Sequence, residues 1–132
     1  MIKHGEPPYL ECSSKGDKRF SAFYAKIQRE ELAENNIWMP AEGKSIEELY
    51  QAYKIFEDGS TGLTWKEAKG RKPVNIEACR KFYSNLWEIY IKQNPELLEV
   101  LKQASGLSDM FGQEGHVCQA TELWRIRNNG TL

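Results

Sequence analysis

Apolar residues recur at steps of three and four along residues 75–93, and this pattern limits the possible folds more than any other feature of the chain. The positions are Ile76, Cys79, Phe82, Tyr83, Leu86, Ile89 and Tyr90. The spacing predicts one long amphipathic helix from Asn75 to Gln93, which we expect at the centre of the core. Asn94-Pro95 is an N-cap residue followed by a proline at the first helical position, so a second helix is predicted through Ala104. The fold must therefore be organised around packed helices.

The rest of the chain adds a smaller β component to these helices. At 132 residues, with 40% hydrophobic and 11% aromatic residues, the chain has the size and composition of one globular domain. Residues 9–12 and 20–27 have strand composition and are separated by a turn at 13–17, which predicts two short strands, or a strand and an extended loop. A last helix is predicted over 117–127. We therefore predict a compact, mostly helical α+β single domain with a short N-terminal β element, spanning residues 9–128, with flexible tails at 1–8 and 129–132.

Charge and cysteine content narrow the classes of function and compartment. The formal net charge of -1 gives no general attraction to nucleic acid or to anionic membranes, so binding of a polyanion requires a local patch. Three cysteines without a CxxC pair, no leader-like N-terminus and no run of 18 apolar residues predict a cytoplasmic protein with no membrane association. With only two histidines a structural zinc site is not expected, and we predict no metal.

The segment Ser45–Lys54 gathers polar side chains beside an apolar stripe. Ser45, with Glu48 three residues later, predicts a capping box at the start of a helix that should end near Asp58-Gly59. At 100° per residue, a carboxylate, a phenol, a carboxamide and an amine share an arc of roughly 100°. These groups belong to Glu47, Tyr50, Gln51 and Lys54. At the border of a core such groups are partly desolvated, which shifts pKa values and suits a ligand site. The alternative is a solvated face stabilised by pairing between glutamate and lysine.

Three further segments hold candidate binding residues, and each has an ordinary structural alternative. The basic turn at 65–72 contains Trp65, Lys69, Gly70 and Arg71, a composition that suits phosphate, although a solvated basic turn has the same composition. In the segment 107–115, Asp109, Phe111 and Gly112 lie before a predicted helix start, where an anion or a sugar can bind. Glycine-rich turns before helices are also common. The segment 20–24 contains Phe20, Ser21, Phe23 and Tyr24, and it is equally compatible with a plain core strand.

These segments occur in the order and approximate spacing of one known family. Ser45, Glu47, Tyr50, Gln51, Ala52 and Lys54 match the family motif S-x-E-x-x-Y-Q-A-x-K position for position. The segment 20–24 is similar to an early L-S-N-F-Y-like segment, and 68–71 is a shortened counterpart of an A-K-x-x-G-R-like turn. The run 109–115 is similar to D-x-x-W-G-x-G, with Phe111 in place of tryptophan. Over roughly residues 20–127 the chain resembles the NADAR (YbiA-like) superfamily of N-glycosidases.

The resemblance implies a NADAR-like α+β fold and cleavage of the bond between a ribose and a base. The implied substrate is an ADP-ribosylated nucleic acid or a ribosylated, nucleotide-type metabolite, and no cofactor is implied. Glu47, Lys54 and Asp109 would be catalytic. The implied substrate-binding residues are Phe20, Ser21, Phe23, Tyr24, Tyr50, Gln51, Trp65, Lys69, Gly70, Arg71, Phe111 and Gly112. Two alternatives remain at this point: a non-catalytic binder of ADP-ribose or a related nucleotide, and an unrelated interaction domain.

Overall fold

The computed structural model describes residues 1–28, 31–34, 37–40 and 42–129, and it describes the backbone alone for 31–34, 37–40 and Trp65. The described strands are β1 (Ile2–Gly5), β2 (Tyr9–Glu11), β3 (Glu31–Glu34), β4 (Ile37–Pro40) and β5 (Gly106–Asp109). The described helices are α1 (Ile46–Tyr53), α2 (Trp65–Ala68), α3 (Ile76–Gln93), α4 (Pro95–Gln103) and α5 (Gln119–Asn129), with a 3-10 turn at Lys18–Phe20.

One hydrophobic core joins the helices to the sheet, and α3 runs through it. The helix occupies almost the predicted span, and its apolar face is buried together with residues of α1, α4 and α5. Trp87, Leu86 and Ile91 are completely buried. Burial of such large side chains is the main favourable contribution to folding. The prediction of a compact, mostly helical α+β domain is confirmed.

The larger sheet has the order β1-β5-β2 and places β5 at its centre. β1 pairs with β5 in the antiparallel direction, so that Ile2 lies opposite Asp109, and β2 pairs with β5 in parallel. All four residues of β5 are buried. β3 and β4 form a separate antiparallel pair. The central strand therefore has a neighbour on each side and ends at Asp109, which pairs with Ile2.

The predicted capping box at α1 is confirmed, but the helix is shorter than predicted. Ser45 accepts a hydrogen bond from the backbone N–H of Glu48, whose side chain accepts one from the N–H of Ser45. α1 ends at Tyr53, five residues before Asp58. The reason is Asn75, whose side chain donates to the carbonyl of Tyr53 and accepts from the N–H of Ile55. These backbone groups are thereby withdrawn from further helical pairing.

The structure corrects several sequence-based boundaries. Residues 1–8 are not a tail, because they contain β1. Residues 20–27 do not form a strand: Phe20 ends the 3-10 turn, and the carbonyl of Ala22 accepts a hydrogen bond from the N–H of Glu47. The segment after Gly106 begins as β5 and not as a loop. The last helix extends to Asn129, and the remainder of the predicted C-terminal tail lies outside the described residues. Within the described ranges, no helix has the length and apolar character needed to cross a membrane.

Candidate active site

A cleft of about 580 Å³ brings Glu47, Lys54 and Asp109 together. Its walls come from five parts of the chain: the turn after the 3-10 element, α1, the segment 71–73 between α2 and α3, α3, and the stretch from the end of β5 to the start of α5. The capping box sets the position of Glu47 at the start of α1, and the central strand sets the position of Asp109. The three predicted catalytic residues thus line one cavity, as the helical register and the order of the motifs had indicated.

Glu47 is half-buried, and its carboxylate is held by Gln51. The Nε2 group of Gln51 donates to Oε1 of Glu47 at 2.7 Å. Burial raises the pKa of Glu47, while this hydrogen bond and the nearby positive charge of Lys54 oppose the increase. A carboxyl group with a raised pKa is suited to exchanging protons with a ligand or with water near neutral pH.

Lys54 lies just beyond the end of α1, where its backbone is extended (φ -68°, ψ 138°). Its ammonium Nζ lies 4.7 Å from the centre of the Tyr50 ring, a distance typical of a cation–π contact. Burial lowers the pKa of Lys54, and the negative charge of Glu47 opposes this decrease. Burial also raises the pKa of Tyr50 to about 12, so its phenol is neutral at physiological pH.

Asp109 is buried and accepts three hydrogen bonds. The donors are Nε2 of Gln119 at 3.0 Å, the backbone N–H of Phe111 at 3.0 Å and the thiol of Cys118 at 3.5 Å. The other end of the Gln119 amide, Oε1, accepts from the N–H of Ala22 at 2.7 Å. Gln119 therefore links the Asp109 carboxylate to the backbone of Ala22, which also lines the cleft. Gln119 was not predicted from the sequence. The only indication of it was a polar residue beside the apolar positions at the start of α5.

Cationic side chains outnumber carboxylates around the cleft. Four cations, Lys54, Arg71, Lys72 and Arg80, line it together with the two carboxylates of Glu47 and Asp109. This excess of positive charge favours an anionic ligand. Lys72 and Arg80 were not among the predicted site residues. Lys72 belongs to the basic turn, and Arg80 is one position on a long amphipathic helix.

Part of this positive charge is already engaged within the protein. Arg71 pairs with Asp58 at 3.2 Å, donates to Oγ of Ser60 at 3.2 Å and lies over the ring of Phe56. Arg80 donates to the carbonyl of Gly115 at 2.7 Å. Both guanidinium groups are thus held in place at the cleft, and each has further N–H groups for a ligand.

Two phenylalanines border the cleft and remain accessible to solvent. Phe23 is 47% exposed and Phe111 is 58% exposed. Apolar rings of this size are usually buried, and an exposed pair beside a cavity is a surface on which a planar base can stack. The prediction that these two residues contact a ligand is compatible with their positions.

The structure does not bring six of the other predicted residues to this cleft. Phe20 and Ser21 are completely buried, and buried Gly112 packs so closely against Ile2 that an added Cβ would lie 2.6 Å from its side chain. Phe20 and Gly112 therefore have packing roles, and Ser21, whose buried hydroxyl has no hydrogen-bond partner in the described part of the chain, does not line the cleft. Tyr24, Lys69 and Gly70 are exposed, but they do not line the cavity. The predicted contact of Trp65 concerns a side chain outside the described part of the chain.

Comparison with known proteins adds no assignment to this geometry. The chain matches no protein-family model and no curated protein. Across the described ranges, no three histidine, cysteine, aspartate or glutamate side chains are arranged as metal ligands. Function is therefore inferred from the residues of the cleft.

The raised pKa of Glu47 predicts a measurable effect on stability. Because folding raises the pKa of this carboxyl group, its ionised form destabilises the native state at pH values above the raised pKa. The penalty disappears as the pH falls below the pKa of a glutamate in the unfolded chain, about 4.5. We expect Glu47→Gln to increase the free energy of unfolding relative to wild type at pH 7.5, and the difference to shrink toward pH 4.5. Urea unfolding of both proteins at the two pH values measures it, and a difference that grows on acidification would contradict the prediction.

Proposed function

We propose that the protein is an N-glycosidase-like hydrolase that cleaves the bond between ribose and base in an ADP-ribosylated nucleic acid or a nucleotide-type metabolite. The observation that carries this proposal is the half-buried Glu47 carboxylate, held by Gln51, in the same cleft as Asp109 and Lys54. The Glu47 carboxylate is half-buried and held by Gln51, whereas the Asp109 carboxylate is buried and held by Gln119. Two carboxylates in different environments are typical of sites for acid–base catalysis. The resemblance of Ser45–Lys54 to the NADAR motif supports the same reaction.

The proposed hydrolysis gives each of these groups a role. Breaking the bond between C1′ and the base nitrogen leaves the electron pair on the base and positive charge on the ribose. The Glu47 carboxylate stabilises that charge and takes a proton from the attacking water, whose oxygen forms the new bond to C1′. The departing base nitrogen gains a proton in turn, so that the products are the free sugar and the neutral base. Asp109, held by Gln119, binds ribose hydroxyls. The reaction consumes only water, so the proposal includes no cofactor.

Lys54 offers a second chemical route within the same cleft. A lysine whose pKa is lowered by burial has more neutral amine near pH 7, and neutral amine is the nucleophilic form. Attack of Nζ on C1′ expels the base, and opening of the sugar ring gives an imine that water then hydrolyses. The two routes give the same products and differ in whether a covalent intermediate forms.

The remaining cleft residues suit the other parts of such a substrate. Arg71, Lys72 and Arg80 are placed to bind the diphosphate, since guanidinium and ammonium groups are the usual donors to phosphate oxygens. Phe23 and Phe111 are placed to stack a base. The location that we propose for this activity is the cytoplasm.

Product analysis by mass spectrometry tests the proposal. The protein is incubated separately with ADP-ribosylated DNA and with free ribosylated nucleotides, and the products are resolved over time. Catalytic release of a free base or of unmodified DNA supports the hydrolase. Stoichiometric retention of intact ligand would overturn it in favour of a non-catalytic binder, and absence of both would exclude these substrate classes.

The positions of Arg71 and Lys69 predict different effects on phosphate binding. We expect Arg71→Ala to weaken binding of ADP-ribose about tenfold, because it removes a charge-assisted donor from the cleft wall. Its existing contact with Asp58 keeps the effect modest. Lys69→Ala, two residues away and outside the cleft, is the matched control and should leave the Kd unchanged. Isothermal titration calorimetry of the wild-type protein and the two variants measures the dissociation constants. Equal values would show that this basic turn is solvated and does not bind the phosphates.

A further inference from the structure

The side-chain oxygen of Gln51 is a buried acceptor without a donor. Gln51 is only 8% exposed and lines the cleft. Its Nε2 group donates to Glu47, whereas Oε1 receives no hydrogen bond from any residue in the described part of the chain. Buried polar atoms are nearly always paired in native proteins, and an unpaired one requires an explanation. In a ligand cleft the simplest explanation is that the ligand supplies the donor.

The contact with Glu47 fixes which end of the amide remains unpaired. While Glu47 is ionised, its carboxylate can only accept hydrogen bonds, so the Nε2 group must face it. Rotating the Gln51 amide by 180° would place its oxygen against the carboxylate oxygen of Glu47, and neither atom could donate a hydrogen bond. Oε1 is therefore an obligatory acceptor, and it selects a ligand group that carries N–H or O–H.

The proposed function identifies that group. If the Glu47 carboxylate lies at C1′, then Oε1 of Gln51, at the other end of the amide that holds this carboxylate, lies beside the groups nearest to C1′. The ring oxygen is an acceptor without a hydrogen, and a base nitrogen that belongs to the ring of the base carries none once it is bonded to C1′. The remaining polar neighbour is the hydroxyl group on C2′, which is a donor. We propose that Oε1 of Gln51 accepts a hydrogen bond from the 2′-hydroxyl of the ribose being cleaved, so that the protein selects ribosides over 2′-deoxyribosides. This inference rests on the proposed function.

Discrimination is expected because a ligand without this hydroxyl leaves the buried oxygen unpaired. Sites built to bind a hydroxyl reject analogues that lack it far more strongly than apolar pockets reject a missing methylene. We use ADP-ribose and the analogue that lacks the 2-hydroxyl on its terminal ribose, and we measure both dissociation constants by calorimetry. For the wild-type protein we expect the analogue to bind at least about tenfold more weakly.

Variants of Gln51 separate this role from its support of Glu47. Gln51→Met removes both amide contacts, but loss of the Glu47 contact affects both ligands equally. The ratio of the two dissociation constants should therefore fall to within about twofold of unity. If the methionine variant does not fold, Gln51→Asn replaces it. Asparagine keeps an amide but its shorter side chain moves that amide away from the ligand, so the ratio of the two dissociation constants should fall in the same way. Phe23→Leu, at the edge of the cleft, is the control: both ligands bind more weakly, and the ratio stays at its wild-type value.

The outcomes separate this inference from the hydrolase proposal. Equal binding of the two ligands by the wild-type protein, a ratio unchanged in the folded Gln51 variants, or no binding of either ligand would overturn the role of Gln51. Catalytic turnover together with equal dissociation constants for the two ligands would support the hydrolase proposal and contradict the proposed role of Gln51. A preserved ratio in wild type without turnover on any substrate would overturn the hydrolase and leave Gln51 as the acceptor of a binding module.

Discussion

Glu47→Gln is expected to lower kcat on an ADP-ribosylated substrate by a factor on the order of 10² or more, with little change in Kd. Glutamine keeps the size of the side chain and an oxygen that can accept from Nε2 of Gln51. It removes the charge that stabilises a positive ribose and the basic site that takes a proton from water. Single-turnover kinetics together with ligand titration measure the two quantities separately.

The neighbouring carboxylate provides a closely matched control for this substitution. Glu48 lies on the same helix but is exposed, and its side chain belongs to the capping box with Ser45. Glutamine is equally suitable at this position of a capping box, so Glu48→Gln should preserve both fold and rate. A wild-type rate in the Glu47 variant would show that the carboxylate is structural, and the binding module would then be the better hypothesis.

The helices were predictable because their signals are local. The pattern over residues 75–93 places α3 to within one residue, and Ser45 with Glu48 places the start of α1. Both depend on interactions within one or two helical turns. The end of α1 was not predictable in this way, because it depends on Asn75, which lies more than twenty residues away in the chain.

The sheet could not be predicted from the sequence because it pairs segments that are far apart in the chain. β1 and β5 are about a hundred residues apart. β1 has only four residues, and β5 lacks the alternation that identifies a strand because it is buried at every position. The first residues therefore resembled a tail. This pairing matters for the site, because Ile2 lies opposite Asp109 and packs against Gly112.

The candidate site was predictable as a set of segments but not as a set of contacts. Helical register placed Glu47 and Gln51 on one side of α1, but no sequence pattern indicates that Gln119 holds Asp109. In the basic turn, composition alone does not separate Arg71, which lines the cleft, from Lys69, which does not. The difference arises because α2 ends at Ala68 and the chain then turns through Gly70, at φ 79°.

Lys54→Arg tests whether the reaction passes through a covalent intermediate. Arginine keeps the positive charge near Tyr50 and Glu47, but its guanidinium does not form an imine. If Lys54 is the nucleophile, we expect turnover to be abolished; if it only stabilises charge, part of the rate should survive. Borohydride added during turnover distinguishes the routes directly, because hydride reduces an imine to a stable secondary amine.

Intact-mass and peptide analysis should then locate a ribose-derived adduct on Lys54 of the wild-type protein. The lowered pKa of Lys54 supports this route, since it increases the fraction of neutral amine at neutral pH. Lys69→Arg is the control: it removes an exposed lysine outside the cleft and should leave the adduct intact. Turnover without an adduct, together with partial activity of Lys54→Arg, would exclude the imine. Lys54 would then act by its charge alone, and the Glu47 carboxylate would remain to activate the water that attacks C1′.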